Sequence, residues 1–448
     1  MLIQFAVENF LSFQGKIVFS LRALDSAPAS PAHIENSGFR LLRCAAIYGA
    51  NASGKSNLVR ALKFCERLVL SGTAVDAKIA DKRFRLDPSS ALAPSIFEYE
   101  LLIEGMVYSY GFKVTPDAVV EEWLFRTAPG GDEELAFERS IDADSPNKTI
   151  FEFGPALSRE QNRLQFLGFV GEGTRRNQLF LHEAIERNVV ELEPVFSWFK
   201  HGLYTIQPNS VYFSLAQRIN EEPTFQRFLE SYLAGADTGI TGLTTRKSEV
   251  ELELLPSDMK VENQEEFERG LIKTLSRGER LLTKEEGKWV SLNLYAQHKD
   301  VTGNDVQFPI KDESDGTRRL MHLAPALQAV EGKARTLVID ELDRSLHPLL
   351  TRKFVLDFLI GAQQKQEQLI FTTHDTNLLA RDLLPLEAVW FVEKNEVGRS
   401  SLYSLAEFNP EQLGQLDGTI EAGYLRGRFG AIPFFADRKR LGWNREGA

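Results

Sequence analysis

The sequence is poor in cysteine, in long apolar runs and in clustered basic charge, and each shortage excludes something. Only Cys44 and Cys65 occur in 448 residues, which leaves no disulfide framework and no cysteine-based zinc site. Both read as core packing. No stretch of about eighteen apolar residues is present, so no transmembrane helix and no membrane partner are expected. The start, MLIQFAVENF, lacks the basic-then-apolar build of a signal peptide, and a cytoplasmic location is expected. A formal net charge of −11 gives DNA binding over the whole surface no support, though it leaves room for a local basic groove. The seven histidines are scattered and form no HNH-like cluster. No heptad pattern is sustained, which argues against a long coiled-coil arm. What remains is a chain with 43% hydrophobic residues, enough to bury one large core or two moderate ones.

The most informative stretch is CAAIYGANASGKSNLVRAL, residues 44–62. An apolar strand from Cys44 to Tyr48 runs into Gly49-Ala50-Asn51-Ala52-Ser53-Gly54-Lys55-Ser56, with the spacing GxxxxGKS, and a helix is expected from Asn57 to about Leu70. Strand, loop and helix in that order make a phosphate-binding P-loop. Gly49 and Gly54 permit the turns that aim successive N–H groups of Asn51, Ala52, Ser53 and their neighbours at an anion. Lys55 would reach the β- and γ-phosphates of ATP and Ser56 would hold Mg2+. The helix N-terminus at Asn57 would add its dipole.

Around this loop the pattern predicts an α/β fold. Leu2 to Val7 and Lys16 to Ala23 read as strands, and residues 26 to 37 as an exposed loop. IFEYELLI and MVYSYGFKV, from Ile96 and Met106, form a hairpin to which Val119 to Thr127 adds a third strand. Gly130 to Asn147 is polar and acidic and reads as a surface loop. Between Ser158 and Glu286 the signal is poor, with short helices expected at Asn177 to Arg187, Glu191 to Lys200 and Pro223 to Ala234. Strands then alternate with helices: Trp289 to Gln297, a helix interrupted at Pro325, Thr336 to Asp340, a helix at Leu349 to Ile360, Gln368 to Thr373, Val389 to Glu393 and Ser401 to Leu405. Such alternation implies a largely parallel sheet. Three segments are expected: 1–149 with the P-loop and an antiparallel β subdomain, a partly helical insertion at 150–286, and 287–448. The insertion, least rich in motifs, is expected to present the partner or trigger surface.

A nucleotide site needs a second carboxylate element, and TLVIDELDRSLHP, residues 336–348, supplies it. Asp340 stands at the carboxyl end of an apolar strand, where it would complete the Mg2+ shell, and Glu341 would polarise the attacking water. His374 follows the next buried strand in Thr372-Thr373-His374-Asp375. Ser314-Asp315-Gly316-Thr317 precedes a helix and reads by itself as an N-cap.

Taken together, these elements resemble the ABC-type ATPases of the SMC, RecF and OLD group, whose head domain combines a mixed sheet, an antiparallel β subdomain and insertions. VENFLSF, residues 7–13, is similar to the first-strand NFxSF pattern of that group. The resemblance implies that His374 is a switch histidine contacting the γ-phosphate. It also implies that Ser314 and Gly316 form a signature element that binds the γ-phosphate held by another subunit's P-loop, in a homodimer or higher oligomer. ELDRSLHPLL and the tail YLRGRFGAIP resemble more narrowly the RloA-like AAA ATPases of bacterial anti-phage loci, which are akin to the ATPase subunit of PARIS systems. That resemblance implies an ATP-hydrolysing sensor that answers to a phage-encoded trigger and controls a separate, nuclease-like effector. No Asp-x-Asp cluster follows His374, so an appended TOPRIM nuclease of the OLD kind is not expected. Alternatives are a RecF-like or SMC-like repair ATPase that clamps DNA, and a scaffold that holds ATP without turnover. His347 stands where many ABC ATPases carry a D-loop aspartate, and no Q-loop glutamine follows the P-loop helix.

Overall fold

The computed structural model describes residues 1–25, 30–142, 144, 148–212, 214–249, 273–275, 280–285, 288–328, 334–362, 365–408 and 419–432. In chain order the first strands are β1 (Leu2–Glu8), β2 (Ile17–Ser20), β3 (His33–Asn36), β4 (Phe39–Leu42) and β5 (Cys44–Tyr48), followed by α1 (Lys55–Ser71). β6 (Ser95–Ile103), β7 (Met106–Val114), β8 (Val119–Thr127), β9 (Glu133–Ile141) and β10 (Thr149–Phe153) lead to the helices α2 (Gln161–Gly173), α3 (Phe180–Glu186) and α4 (Glu193–Ser197), and then to β11 (Leu203–Ile206). α5 (Leu215–Glu221), α6 (Pro223–Ala234), β12 (Gly242–Glu249), β13 (Lys273–Leu275), β14 (Arg280–Glu285), β15 (Lys288–Lys299) and β16 (Asp305–Pro309) precede α7 (Asp315–Leu323). The chain continues through β17 (Arg335–Ile339), α8 (Pro348–Gly361), β18 (Glu367–Thr372), β19 (Val389–Lys394), β20 (Ser400–Ser404) and α9 (Ile420–Leu425).

The chain forms two compact units, one from Met1–Ile206, Glu331–Leu342 and Ala362–Ala448, the other from Gln207–Val330 and Asp343–Gly361. The first holds a six-stranded sheet in the order β11-β17-β18-β5-β19-β20, parallel except for the β19–β20 pair. β5, β17 and β18 are buried at every position. That is why they read as unbroken apolar runs, since a central parallel strand is covered on both faces. The same unit holds an antiparallel sheet, β10-β9-β8-β7-β6-β1-β2, in which β6 alternates buried and half-buried residues as one covered face requires. The second unit packs α5, α6 and α7 on an antiparallel sheet of β12 to β16, around Leu215, Phe225, Leu229, Leu294 and Met321.

The hairpin of β6 and β7 and its third strand β8 are present as the alternation predicts. Pro325 ends α7, and a 3-10 turn follows at Ala324–Leu327. Two expectations are corrected. Residues 26 to 37 are not all loop, because His33–Asn36 pairs with Phe39–Leu42 across Ser37 and Gly38, whose φ angles of 50° and 81° suit a tight hairpin; residues 26–29 lie outside the described residues. Within the expected surface loop 130–147, Glu133–Ile141 is a strand. Its pattern was illegible because the inward-facing Arg139 is charged and fully buried, with side-chain exposure of 0%.

That arginine belongs to the brace behind α1. Arg139 stands 3.7 Å from Glu122, whose carboxylate also accepts hydrogen bonds from Tyr110 Oη and from the Phe180 and Leu181 N–H groups. The adjoining segment grips the end of α1: Gln178 Oε1 accepts the Thr73 N–H at 2.7 Å, and His182 Nδ1 donates to the Val69 carbonyl at 2.8 Å. Arg175 adds a hydrogen bond of 2.6 Å to the Thr73 carbonyl. The helix that begins at the P-loop is thereby fixed at its far end to the antiparallel sheet.

Candidate functional site

β5 ends at Tyr48, and the chain turns through Gly49 to Gly54 before α1 begins at Lys55. Gly49 has φ 153°, and a Cβ there would lie 2.3 Å from the Val392 carbonyl oxygen. Gly54 has φ 119°, and a Cβ there would fall within 2.7 Å of the Ser12 and Ser400 hydroxyls. Only glycine fits either position. Ala52 adds a third positive φ, 62°, and alternating handedness of this kind points backbone N–H groups to one side. The first turn of α1 carries no acidic residue, so its partial positive charge is left for a ligand.

Lys55 is buried, and its Nζ donates to the Gly49 and Ala50 carbonyls at 2.8 and 3.1 Å, which holds the ammonium inside the loop. Ser53 is 3% exposed and its hydroxyl has no hydrogen-bond partner among the described residues. Asn57 Nδ2 donates to Ser12 Oγ at 2.7 Å, and the Ser400 N–H donates to the Ser12 carbonyl at 2.8 Å. The turn after β1 and the start of β20 therefore buttress the loop. Asn51 is exposed beside Ala52 at the loop's tip.

The carboxylate element meets this loop through one intervening strand. β18 lies between β5 and β17, with Thr372 opposite Ile47 on one side and Phe371 opposite Ile339 on the other. Asp340, 4% exposed, follows β17 and accepts at Oδ1 from Ser56 Oγ at 3.0 Å and from Thr372 Oγ1 at 2.7 Å. Thr372 Oγ1 also accepts the Glu341 N–H at 2.8 Å, and Glu341 has φ 51°. One hydroxyl thus sets both acids, a role that the motif Thr372-Thr373-His374-Asp375 does not signal. Its signal was a hydroxyl residue at the last position of a strand, visible only once β18 was known to sit between the two motifs.

His374 is exposed at the same sheet edge. Its loop is anchored by the Thr373 N–H on the Ile47 carbonyl at 3.1 Å and by Tyr48 Oη donating to the Asp375 carbonyl at 3.1 Å. Tyr424 of α9 packs edge-on to Tyr48, with centroids 5.8 Å apart, and burial raises its phenol pKa against an opposing contribution from the Gly49 backbone amide. The tail motif thereby reaches the start of the P-loop. Ser314 and Gly316 belong to the second unit, where Ser314 Oγ accepts the Thr317 N–H at 3.1 Å and caps α7. A Cβ on Gly316 would meet the Ser345 carbonyl oxygen at 2.6 Å. His347 also lies in that unit, exposed at the start of α8.

Ser56 Oγ and the Asp340 carboxylate are hard oxygen donors of the type Mg2+ prefers, and they already converge. The residues therefore fit the ion, which would neutralise charge on phosphate oxygens when bound.

Comparison with solved structures finds an SMC head domain from Thermotoga maritima, 13% identical, covering 90% of this chain and 98% of that one with a TM-score of 0.35. An SMC head bound to the C-terminal winged-helix domain of ScpA is 12% identical, with coverages of 92% and 99% and a TM-score of 0.41. An SMC head with an extended coiled coil, from Pyrococcus furiosus, is 14% identical, with coverages of 95% and 99% and a TM-score of 0.35. No curated protein sequence matches the chain. Among the described residues no helix is long and apolar enough to cross a membrane. Residues 44–380, from the P-loop strand to just beyond His374, match the family described as "AAA domain, putative AbiEii toxin, Type IV TA system", and the chain belongs to that family.

Proposed function

We propose that this chain binds and hydrolyses ATP with Mg2+, and that the cycle switches a separate effector protein in defence against phage. The observation that carries the reading is the convergence of Lys55, Ser56, Asp340 and Thr372 at the mouth of a glycine-built anion nest. In this reading the N–H groups from Gly49 to Asn57 cradle the phosphates and Lys55 neutralises the β- and γ-oxygens. Ser56 and Asp340 hold Mg2+. Glu341 orients and deprotonates the attacking water, and His374 senses the γ-phosphate.

The family description names a toxin of a toxin–antitoxin system, which supports a role in defence rather than in transport. The narrower likeness of ELDRSLHPLL and YLRGRFGAIP to RloA-like and PARIS-type ATPases supports the same reading. Each site is proposed to be completed by Ser314 and Gly316 of a second subunit, since a capped helix start with a hydroxyl suits an anionic phosphate.

The test is Mg2+-dependent ATP turnover in wild type and Lys55→Ala. Loss of turnover with an unchanged far-UV circular dichroism spectrum supports the assignment, because the lysine's part is charge stabilisation. Equal turnover in the two proteins overturns it.

A further inference from the structure

The loop that carries His374 is held from two sides. On one side lies β5: the Thr373 N–H donates to the Ile47 carbonyl at 3.1 Å and Tyr48 Oη donates to the Asp375 carbonyl at 3.1 Å. On the other lies α9, where Glu421 Oε1 accepts a hydrogen bond of 2.6 Å from Thr376 Oγ1. The loop between these anchors is stiff. Asp375 Oδ1 accepts the Asn377 N–H at 3.0 Å and Asn377 Nδ2 at 2.8 Å, which caps the 3-10 turn Thr376–Leu378. A displacement of Thr376 is therefore carried back through Asp375 to His374.

The tail that supplies Glu421 is itself fixed. Thr419 Oγ1 caps α9 by accepting the Ala422 N–H at 3.2 Å. Tyr424 stacks on Phe391 of β19, with ring centroids 5.4 Å apart, and meets Tyr48 edge-on. After α9, Gly427, Gly430 and Ala431 take φ angles of 76°, 67° and 55°, which turn the chain back on itself. Phe429 thereby also stacks on Phe391, at 5.9 Å, and its carbonyl accepts Tyr403 Oη at 2.7 Å. The Ala431 carbonyl accepts Tyr424 Oη at 3.2 Å. The stretch from Tyr424 to Ala431 thus anchors the helix on which Glu421 stands.

Packing does not fill the gap between that helix and the His374 loop. A cavity of about 470 Å3 lies there, with Thr376, Leu379 and Arg381 on the loop side and Thr419, Ile420 and Glu421 on the tail side. Across such a gap a hydrogen bond sets position where side-chain contact does not, and a carboxylate acceptor makes it about twice as strong as a neutral one. We infer that Glu421 is a positioning residue for ATP hydrolysis: through Thr376 it holds His374 in place for the γ-phosphate. The inference rests on the nucleotide reading and adds to it a residue outside the P-loop and the carboxylate element.

Steady-state ATP turnover and amide hydrogen exchange, both on the full-length protein, test it. Glu421→Ala should lower kcat about tenfold or more and leave KM for ATP within about twofold, since misplacing a group that acts in the transition state costs rate rather than binding. Thr376→Val, which breaks the same bond from its other end, should do likewise. Glu421 and Thr376 are half-buried, so the variants should fold, which circular dichroism checks. Glu421→Gln, whose amide oxygen still accepts the Thr376 hydroxyl, should recover most of the rate, and so should Thr376→Ser. In a His374→Ala background Glu421→Ala should cost nothing further, because the two residues act as one unit. Without nucleotide, Glu421→Ala should speed amide exchange about tenfold in residues 374–379 and leave α1 unchanged. Wild-type kcat in Glu421→Ala, an equal loss in Glu421→Gln, a full additional loss in the His374→Ala background, or unchanged exchange in 374–379 each overturns the inference while the nucleotide reading stands. An inactive wild type overturns the nucleotide reading, and this inference with it.

Discussion

Ser56 Oγ donates a hydrogen bond of 3.0 Å to Oδ1 of Asp340, a residue 284 positions later in the chain. The same oxygen receives Thr372 Oγ1 at 2.7 Å. Two segments remote in sequence are therefore joined where a cation would bridge them, and a third strand fixes the junction.

Thr372→Val should test that junction. The change keeps the shape but removes a donor to Asp340 and an acceptor for the Glu341 N–H. A loss of about 1–3 kcal/mol in stability is expected, with a larger fall in kcat than in KM for ATP, and Thr372→Ser should restore both. Wild-type turnover and melting temperature in the valine variant would falsify the positioning role.

Glu341→Gln should bind ATP and Mg2+ normally and lose hydrolysis, because an amide cannot take a proton from water while Asp340 remains in place. A closed, ATP-loaded assembly should accumulate. Light scattering that shows no increase in mass on adding ATP would count against closure by nucleotide.

Shared sites predict complementation. Ser314→Arg blocks the signature element and Lys55→Ala disables the P-loop, so each homogeneous variant should be nearly inactive. After subunit exchange a mixed pair holds one intact site, and partial ATPase activity should return. No recovery in mixed assemblies, together with about half of wild-type activity in a linked dimer of one wild-type subunit and one subunit carrying both Lys55→Ala and Ser314→Arg, would place the whole site within one chain.

Gly49→Ala should cost at least about 2 kcal/mol, since the new methyl meets a backbone carbonyl at 2.3 Å and φ is 153°. Gly15→Ala is the control: a Cβ there meets nothing within 4 Å, and a change within about 0.5 kcal/mol is expected. Equal melting temperatures for the two variants would remove the packing argument for Gly49.

Burial pushes the Glu122 carboxyl above its ordinary pKa of 4.5, with Arg139 and the Phe180 and Leu181 amides opposing. A carboxyl raised in the folded state contributes stability that is fully present below the unfolded pKa and is lost as pH rises through the folded value. The melting temperature of wild type relative to Glu122→Gln should therefore decline from about pH 4 upward. Parallel curves for the two proteins would show that this carboxyl does not govern the slope.

The P-loop, the Asp340–Glu341 strand end and the parallel character of their sheet were legible because each rests on local signals. These are glycine spacing, an unbroken apolar run, and an acid where the run stops. β9 was not legible, because the residue it turns inward is Arg139, whose burial makes sense only beside Glu122 on the neighbouring strand. β3 was hidden by its brevity and by a loop-like composition. The role of Thr372 was hidden for a different reason: threonine is common in strands, and nothing local says which carboxylate a hydroxyl will meet.

By itself the sequence determined which residues carry chemistry suited to phosphate and metal, since backbone freedom at Gly49 and Gly54, the charge of Lys55 and the oxygens of Ser56, Asp340 and Glu341 are properties of the residues and their spacing. Tertiary structure alone decided that β18 separates the two motif strands, that Thr372 joins them, and that the tail reaches Gly49 through Tyr424. Strand order and the meeting of remote side chains depend on how whole elements pack, and no local pattern of residues records that choice.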